Sequence, residues 1–219
     1  MSKHFKVCLH ALTGRIVHID NEVEVPEGFT EGRCPDCGEQ LVASNRKRES
    51  RKVATYFRHK SQANCDGESL VHLWAKQIIL DKRILLGAPI KALGTYTIKG
   101  RYFEEKLFKQ AESLYVNNAK DEVTLTVGNQ KIIPDIFAPK SAKNGLSIEV
   151  FFSNKVSDEK AQLYKNNEID CLEIDLSGIP LDVMAVESNF ERYVTHDAPR
   201  EWIYSTSQAE LQVLSLIHI

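Results

Sequence analysis

Three cysteines and a histidine in the first third of the chain have the spacing of a metal site. Cys34 and Cys37 form a C-x-x-C turn, in which an intervening proline and a following glycine fold the backbone so that two thiolates point at one centre. His59 and Cys65 come later in the same segment and supply two further ligands. We therefore predict a structural Zn²⁺ site of three sulfurs and one imidazole, which is closed and leaves no coordination position for catalysis.

A redox pair or two free surface thiols are the alternatives for the C-x-x-C turn. A thioredoxin-type motif begins a helix after a strand, whereas here Gly38 and Glu39 lead into a continuing strand-like pattern, which argues against that alternative. The other two cysteines, Cys8 and Cys171, stand among apolar neighbours and are predicted to be buried small hydrophobic residues.

Two carboxylates in successive predicted strands could share a divalent cation. Asp135 ends one strand and Glu149 stands in the middle of the next, so a hairpin closed by residues 139–145 places them opposite each other. At about 4 Å and an effective dielectric of about 20 their repulsion is on the order of 4 kcal/mol, which a cation between them offsets. A register shifted by one residue would instead turn Glu149 to solvent.

A polar stripe on the first predicted helix is a second source of catalytic groups. Glu68, His72 and Lys76 follow one another at four-residue spacing and therefore share a helix face. One interpretation is a solvated edge, with Glu68 favoured by the helix dipole. The other brings a third carboxylate and a cation to the site of Asp135 and Glu149, which makes all five residues catalytic candidates.

A basic segment lies between the two halves of the cysteine motif. It has five basic residues within eight positions and no apolar side chain to bury. The segment is either a solvated hairpin tip or a contact for nucleic-acid phosphates without sequence preference. Its basic residues are Arg46, Lys47, Arg48, Arg51 and Lys52.

The periodicity predicts a small β module at 1–66, a mixed domain at 67–204 and an unassigned tail at 205–219. The module alternates apolar and polar residues but is too poor in apolar side chains to form a good core without a metal or a neighbour. Helices are predicted over 68–86, 156–166 and 181–196, and strands over 94–102, 112–117, 121–127, 130–137, 146–153 and the segment IDCLEIDL. A mixed sheet flanked by helices, of the α+β or α/β class, is the predicted fold of the larger domain.

Composition limits the function classes. The chain has 219 residues, of which 42% are hydrophobic and 26% charged, which excludes a disordered chain or a disulfide scaffold. The formal charge is -2, with residues 1–64 at +3 and the remainder at -5, so a nucleic-acid role must depend on a local basic patch.

No long apolar run or signal-peptide core is present, which predicts a soluble cytoplasmic protein with reduced cysteines. The apolar ending at 214–219 is typical of a truncated or foreign tail.

The order of these motifs resembles the competence CoiA-like family of the PD-(D/E)xK nuclease superfamily. The resemblance covers roughly residues 5–204, and the combination is far more specific than any one motif. It implies a restriction-endonuclease-like core of order αβββαβ and Mg²⁺- or Mn²⁺-dependent hydrolysis of DNA phosphodiesters, in DNA uptake, recombination or bacterial defence, with recombination or defence proteins as partners. The motifs are Cys-Pro-x-Cys-Gly, Tyr56-Phe57-Arg58-His59, Cys65, Glu68-Ser69-x-x-His72-x-x-x-Lys76, Pro134-Asp135, Ile148-Glu149-Val150, Asp158-Glu159-Lys160 and Leu172-Glu173-Ile174-Asp175-Leu176-Ser177.

The resemblance also implies roles for single residues. Asp135 matches the first acid of the motif and Glu149 the second, both as ligands of the catalytic metal, and Glu68 matches a helix acid that many members add. The motif lysine is expected two residues after Glu149, where this chain has Phe151.

A cation is still needed near these acids to offset charge in the transition state. The candidates are His72, Lys76, Lys155 and Lys160. If none of them reaches the acids, the chain is a non-catalytic zinc-containing nucleic-acid-binding or adaptor protein, and a purely structural partner in a multiprotein system is the third possibility.

Overall fold

A computed structural model describes residues 5–44, 55–61, 65, 68–139 and 145–217. The fold is mixed, with α-helices and several small β-sheets, as the sequence predicts at the level of class. None of the helices in these ranges is both long and apolar enough to cross a membrane.

The elements are numbered in chain order. The strands are β1 (Val7–His10), β2 (Ile16–His18), β3 (Gly32–Arg33), β4 (Leu41–Ser44), β5 (Tyr56–His59), β6 (Ile84–Leu86), β7 (Ile90–Ile98), β8 (Arg101–Lys109), β9 (Ser113–Tyr115), β10 (Lys120–Asp121), β11 (Leu125–Val127), β12 (Gln130–Ile132), β13 (Ile136–Pro139), β14 (Gly145–Phe151), β15 (Asp170–Asp175) and β16 (Arg200–Tyr204). The helices are α1 (Glu68–Lys82), α2 (Asp158–Asn166), α3 (Leu181–Met184), α4 (Glu187–Arg192), the π-helical turn Tyr193–Asp197 and α5 (Thr206–Ile217).

The chain divides into two compact units. Unit 1 combines Met1–Ile78 with Ile179–Arg192, and unit 2 combines Ile79–Gly178 with Tyr193–Ile219. This division differs from the predicted boundaries at 66 and 204. Most of α1 belongs to unit 1, where the Gln77 amide accepts from the backbone N–H of Ile16 at 2.8 Å and donates to its carbonyl at 3.0 Å. Helix α5, in the predicted tail, belongs to unit 2.

Unit 1 is built on two antiparallel sheets and the first part of α1. One sheet has the order β2-β1-β3, the other pairs β4 with β5, and a bridge between Phe5 and Phe57 connects the segment before β1 to β5. Phe57 is fully buried, and Trp74 of α1 stacks on Phe190 of α4 with ring centroids 3.9 Å apart. Aromatic packing therefore supplies much of the core of this unit.

Unit 2 centres on a five-stranded sheet of order β10-β13-β14-β15-β16. Strands β13 and β14 are antiparallel with Ile136 opposite Ile148, and β14 and β15 are parallel, joined by α2. Ser157 begins α2 because its hydroxyl caps the backbone N–H of Lys160, and two acids in the first turn suit the helix dipole. The central strand β14 is buried along Gly145–Val150, as expected where both faces of a sheet are covered.

Three predicted elements are wrong in detail. Helix α1 ends at Lys82, not at 86, because Arg83 adopts a left-handed φ of 57° and the next three residues form β6. The predicted strand 94–102 is two strands, since Lys99 and Gly100 both have positive φ and form a tight hairpin turn between β7 and β8. The predicted helix 181–196 is divided into α3, α4 and the π-helical turn.

The predicted strand 130–137 is also divided, and the division matters for the site. Residues 133–135 lie between β12 and β13, and Pro134 has no backbone N–H to donate to a ladder. Asp135 therefore stands immediately before β13, at the point where the chain enters the central sheet.

Candidate metal-binding cluster and carboxylate site

The cysteine turn is held by its own backbone. It follows β3, and the N–H of Gly38 donates to the carbonyl of Cys34 at 2.9 Å, while the N–H of Cys34 donates to the carbonyl of Glu39 at 2.9 Å. Gly38 has a φ of +71°, a left-handed conformation that glycine adopts without strain. The chain continues into β4 and not into a helix, which excludes the thioredoxin arrangement.

The predicted ligand set comes together as one cluster. The ligand atoms of Cys34, Cys37, His59 and Cys65 all lie within 4.8 Å of one another, and Cys37 Sγ is 3.5 Å from His59 Nε2. A tetrahedral Zn²⁺ has sulfur ligands at about 2.3 Å and nitrogen at about 2.0 Å, so its ligand atoms are separated by less than about 4 Å. The four side chains fit this geometry with small adjustments, and the cluster could hold a metal ion such as zinc.

The four ligand side chains of the cluster differ in their surroundings. His59 ends β5 opposite Leu41, and its ring meets the edge of Phe5 with centroids 5.5 Å apart. Cys34 is buried, whereas Cys37 is exposed. Hydrogen bonding with Cys37 is the main reason that the pKa of Cys65 is raised to about 12, because a thiol that donates a hydrogen bond favours its protonated form.

The two remaining cysteines are buried, as predicted. Cys8 and Cys171 are both fully inaccessible to solvent. Burial raises the pKa of Cys8 to about 12, so this thiol stays protonated and unreactive.

Asp135 and Glu149 lie side by side in unit 2. With Ile136 opposite Ile148, the same register continued by one residue sets Asp135 opposite Glu149, as the sequence predicts. Directly opposed residues of an antiparallel pair share a face of the sheet. The carboxylate of Asp135 accepts a hydrogen bond from the backbone N–H of Val150 at 2.8 Å, which turns it towards β14.

Glu149 is a buried carboxylate with two donors. It is only 6% exposed, and its Oε1 receives the Tyr164 hydroxyl at 2.5 Å and the Lys160 ammonium at 2.7 Å. Burial raises the pKa of Glu149 and the charge on Asp135 adds to that effect, while Lys160 and Tyr164 oppose it. Lys160 also donates to the carbonyl of Ile133 at 2.9 Å, so its head group is held between the two strand ends.

Phe151 occupies the position where the family motif has its lysine, and a different lysine lies beside its ring. Phe151 lies on β14 two residues after Glu149, and the ammonium of Lys155 sits 5.4 Å from the centre of its ring. The same ammonium is 3.6 Å from Glu201 Oε1, and both partners of this ion pair are mostly exposed. Of the two lysines that follow β14, Lys160 is therefore the one on the Glu149 carboxylate.

The structure adds one acid that the sequence argument missed. Glu173 of β15 is the parallel partner of Glu149 and is only 3% exposed. Its carboxylate accepts the backbone N–H of Val156 at 2.8 Å, which anchors the segment leading into α2. The signal was available, because Glu173 stands at a strand position where an apolar residue is usual.

The remaining predicted site residues belong to unit 1 or lie outside the described residues. His72 and Lys76 belong to α1 in unit 1, where Lys76 is buried, so the stripe is not a fully solvated edge. The side chain of Glu68 and the whole basic segment that contains Arg46, Lys47, Arg48, Arg51 and Lys52 lie outside the described residues.

Comparison with known proteins assigns no family to this chain. No family model matches it, and neither does a curated protein or a solved structure. The resemblance to the CoiA-like family therefore stays a prediction.

Proposed function

We propose that this chain is a Mg²⁺- or Mn²⁺-dependent DNA nuclease of the CoiA-like type, with a restriction-endonuclease-like domain in unit 2. The observation that carries the proposal is the 2.7 Å contact between Lys160 Nζ and Glu149 Oε1, beside Asp135. An acid pair with an adjacent cation is the minimal set for metal-assisted hydrolysis of a phosphodiester.

Asp135 and Glu149 would hold the catalytic metal. Carboxylates are the ligand type that hard divalent cations prefer. Burial is the main reason that the pKa of Glu149 is raised, the charge on Asp135 adds to it, and a bound cation would favour the ionised form of both acids. When bound, the ion polarises the scissile phosphate and acidifies a water molecule. Glu149 is on β14 and Asp135 stands immediately before β13, where the backbone N–H of Val150 holds its carboxylate.

Lys160 would replace the motif lysine, which is absent because Phe151 stands at its position. Its ammonium is fixed by Glu149 and by the carbonyl of Ile133, so it presents a positive charge at a defined position. A preorganised cation stabilises the charge that develops on the phosphate in the transition state. Tyr164 keeps the Glu149 carboxylate in one orientation through its hydroxyl.

Zinc in this proposal is structural. Cys34, Cys37, His59 and Cys65 would fill all four positions of a tetrahedral ion, which leaves none for substrate. The ion would tie the turn after β3 to the end of β5 and to the segment before α1, in a unit with small sheets. A role for Glu68, His72 and Lys76 in catalysis, and for the basic segment in DNA binding, stays a prediction from the sequence.

A cleavage assay tests the nuclease proposal. Purified wild-type protein and the Asp135→Asn variant are incubated with plasmid and with single-stranded DNA in Mg²⁺ or Mn²⁺. The matched control is Glu201→Gln, which removes an exposed carboxylate from the same sheet. We expect cleavage by the wild type and by Glu201→Gln but not by Asp135→Asn. Absence of cleavage in either metal, or cleavage unchanged by Asp135→Asn, contradicts the proposal.

The second candidate is a non-catalytic zinc-containing nucleic-acid-binding or adaptor protein. It is favoured by the state of Glu149, which is almost fully buried and already has an ammonium counterion. A buried carboxylate that already has a counterion needs no metal for the stability of the fold. Salt-sensitive DNA binding without hydrolysis would support this candidate over the nuclease.

A further inference from the structure

The longest strand pair of the described chain is a ribbon of only two strands. β7 and β8 pair over nine residues each, from Ile90 opposite Lys109 to Ile98 opposite Arg101. No third strand joins them among the described residues. The outer edge of β7 is covered by α5, where the amides of Gln208 and Gln212 donate to the carbonyls of Lys91 and Leu93.

The register sorts the ribbon side chains onto two faces. Lys91 is opposite Phe108, Leu93 is opposite Lys106, and Tyr102 follows on the same face of β8 because strand residues alternate. On this face Tyr102 is 65% exposed and Phe108 is 59% exposed. Both lysines are exposed as well. The exposed acid Glu104 lies on the same face, between Tyr102 and Lys106. We call these six residues the ribbon face.

Large aromatic side chains on a surface are unusual for a strand pair of this size. A two-stranded ribbon gains stability by burying one side, so two exposed rings on one face, with one acid and one lysine between them, indicate a binding surface more than a folding requirement. The Tyr102 hydroxyl lies 3.5 Å from Glu104 Oε1 on the same face, and this contact leaves the ring itself exposed. The rings of Tyr102 and Phe108 are therefore accessible to a planar ligand.

Charge indicates the kind of partner. Residues 90–109 contain five basic and two acidic residues, a net charge of +3, while the rest of the chain carries -5. One of the basic residues, Lys109, pairs with Glu112 at 3.1 Å, and Lys91 and Lys106 lie on the ribbon face itself. A local cationic surface on an acidic protein is complementary to a polyanion.

We propose that the ribbon face binds single-stranded DNA. Tyr102 and Phe108 would stack on unpaired bases, and Lys91 and Lys106 would contact the phosphates on either side. Unpaired bases are favoured over a duplex because exposed rings find a stacking partner only where bases are not already stacked in a helix. The inference rests on the proposed function, which gives DNA as the substrate. It adds that the DNA is single-stranded and that it binds on a surface separate from Asp135 and Glu149.

A binding experiment without a divalent metal tests the inference. The anisotropy of a fluorescein-labelled thymidine 20-mer and of a duplex of the same length is measured with zinc-loaded, full-length protein in buffer to which no Mg²⁺ or Mn²⁺ is added. We expect the wild type to prefer the single strand. Tyr102→Ala/Phe108→Ala should weaken that binding at least about tenfold. The matched control is Tyr115→Ala, because Tyr115 is 71% exposed on β9, away from the ribbon.

The charged residues give a second, independent variant. Lys91→Gln/Lys106→Gln should reduce the slope of log Kd against log salt by about 1.4, because two phosphate contacts are lost. The control Lys120→Gln/Lys131→Gln removes two exposed lysines outside the ribbon and should leave the slope unchanged. Far-UV circular dichroism confirms that each variant is folded.

Four results would overturn the inference. They are no binding by the wild type at low salt, equal binding by the aromatic double variant, tighter binding of the duplex, and a wild-type dimer that this double variant dissociates. Ribbon-dependent binding without cleavage would reject only the nuclease proposal. Cleavage that needs Asp135 together with binding that ignores the ribbon would reject only this inference.

Discussion

The ammonium of Lys160 lies 2.7 Å from the carboxylate of Glu149, although the two residues are eleven positions apart. The contact joins the first turn of α2 to the central strand β14. The motif lysine of the superfamily that this chain resembles would come from the strand itself, at the position of Phe151. In this chain the lysine beside Glu149 comes from helix α2.

The first prediction separates the two lysines that follow β14. Lys160→Met should lower kcat for DNA cleavage by about 100-fold or more, because a preorganised charge beside the metal-binding acids is lost. Lys155→Met should keep most of the activity, since Lys155 lies over Phe151 and pairs with the exposed Glu201. Steady-state cleavage of labelled DNA measures both variants, and a reversed order would assign the role to Lys155.

The second prediction concerns pH and stability. Burial raises the pKa of Glu149, so the folded protein holds this proton more tightly than the unfolded chain does. The contribution of Glu149 to the free energy of unfolding is therefore full below its pKa in the unfolded chain, which is about 4.5. It is lost as the pH rises through the higher pKa of the folded protein. Glu149→Gln removes the titration and keeps an oxygen for Tyr164, so its Tm relative to wild type should increase between pH 4 and pH 7. Calorimetry across this range measures the difference, and a constant difference would contradict the burial argument.

Elemental analysis tests the zinc assignment. We expect about one equivalent of Zn²⁺ per chain, lost in Cys37→Ser and in Cys65→Ser. Cys8→Ala is the matched control and should keep the metal, since Cys8 is buried away from the cluster. Chelation should lower the Tm because metal binding is coupled to folding. Full thermal stability of the metal-free protein would rule out a structural role.

A fourth prediction tests the packing that positions the cysteine turn. A Cβ added to Gly32 in β3 would lie 2.7 Å from the carbonyl oxygen of Leu41, a backbone atom that cannot move aside easily. Gly32→Ala should therefore lower the free energy of unfolding by about 1–3 kcal/mol. Gly178→Ala, where nothing lies within 4 Å of the added Cβ, should be close to neutral. Denaturant unfolding compares the two, and equal stability would show that β3 can shift.

The sequence was sufficient for features that depend on local spacing. The cysteine cluster could be predicted because turn chemistry and ligand type restrict a C-x-x-C pair followed by histidine and cysteine. The pairing of Asp135 with Glu149 could be predicted because a hairpin register follows from its closing loop.

Features that depend on tertiary packing could not be predicted. Four residues were candidates for the missing cation, and only the placement of α2 on the sheet distinguishes Lys160 and brings Tyr164 to the same carboxylate. The ribbon does not follow from the predicted strand 94–102, because that strand includes the Lys99-Gly100 turn. Both errors concern how elements pack or turn, which residue periodicity does not encode.

Direct detection of a shared metal tests the central claim most sharply. Zinc-loaded protein is titrated with Mn²⁺ and the free ion is followed by electron paramagnetic resonance, for wild type, Asp135→Asn, Glu149→Gln and the control Glu201→Gln. We predict one Mn²⁺ bound by the wild type and by Glu201→Gln, and its loss in each of the other two variants. Wild-type protein that binds no Mn²⁺, or binding that survives both Asp135→Asn and Glu149→Gln, would contradict a catalytic metal held by these two acids.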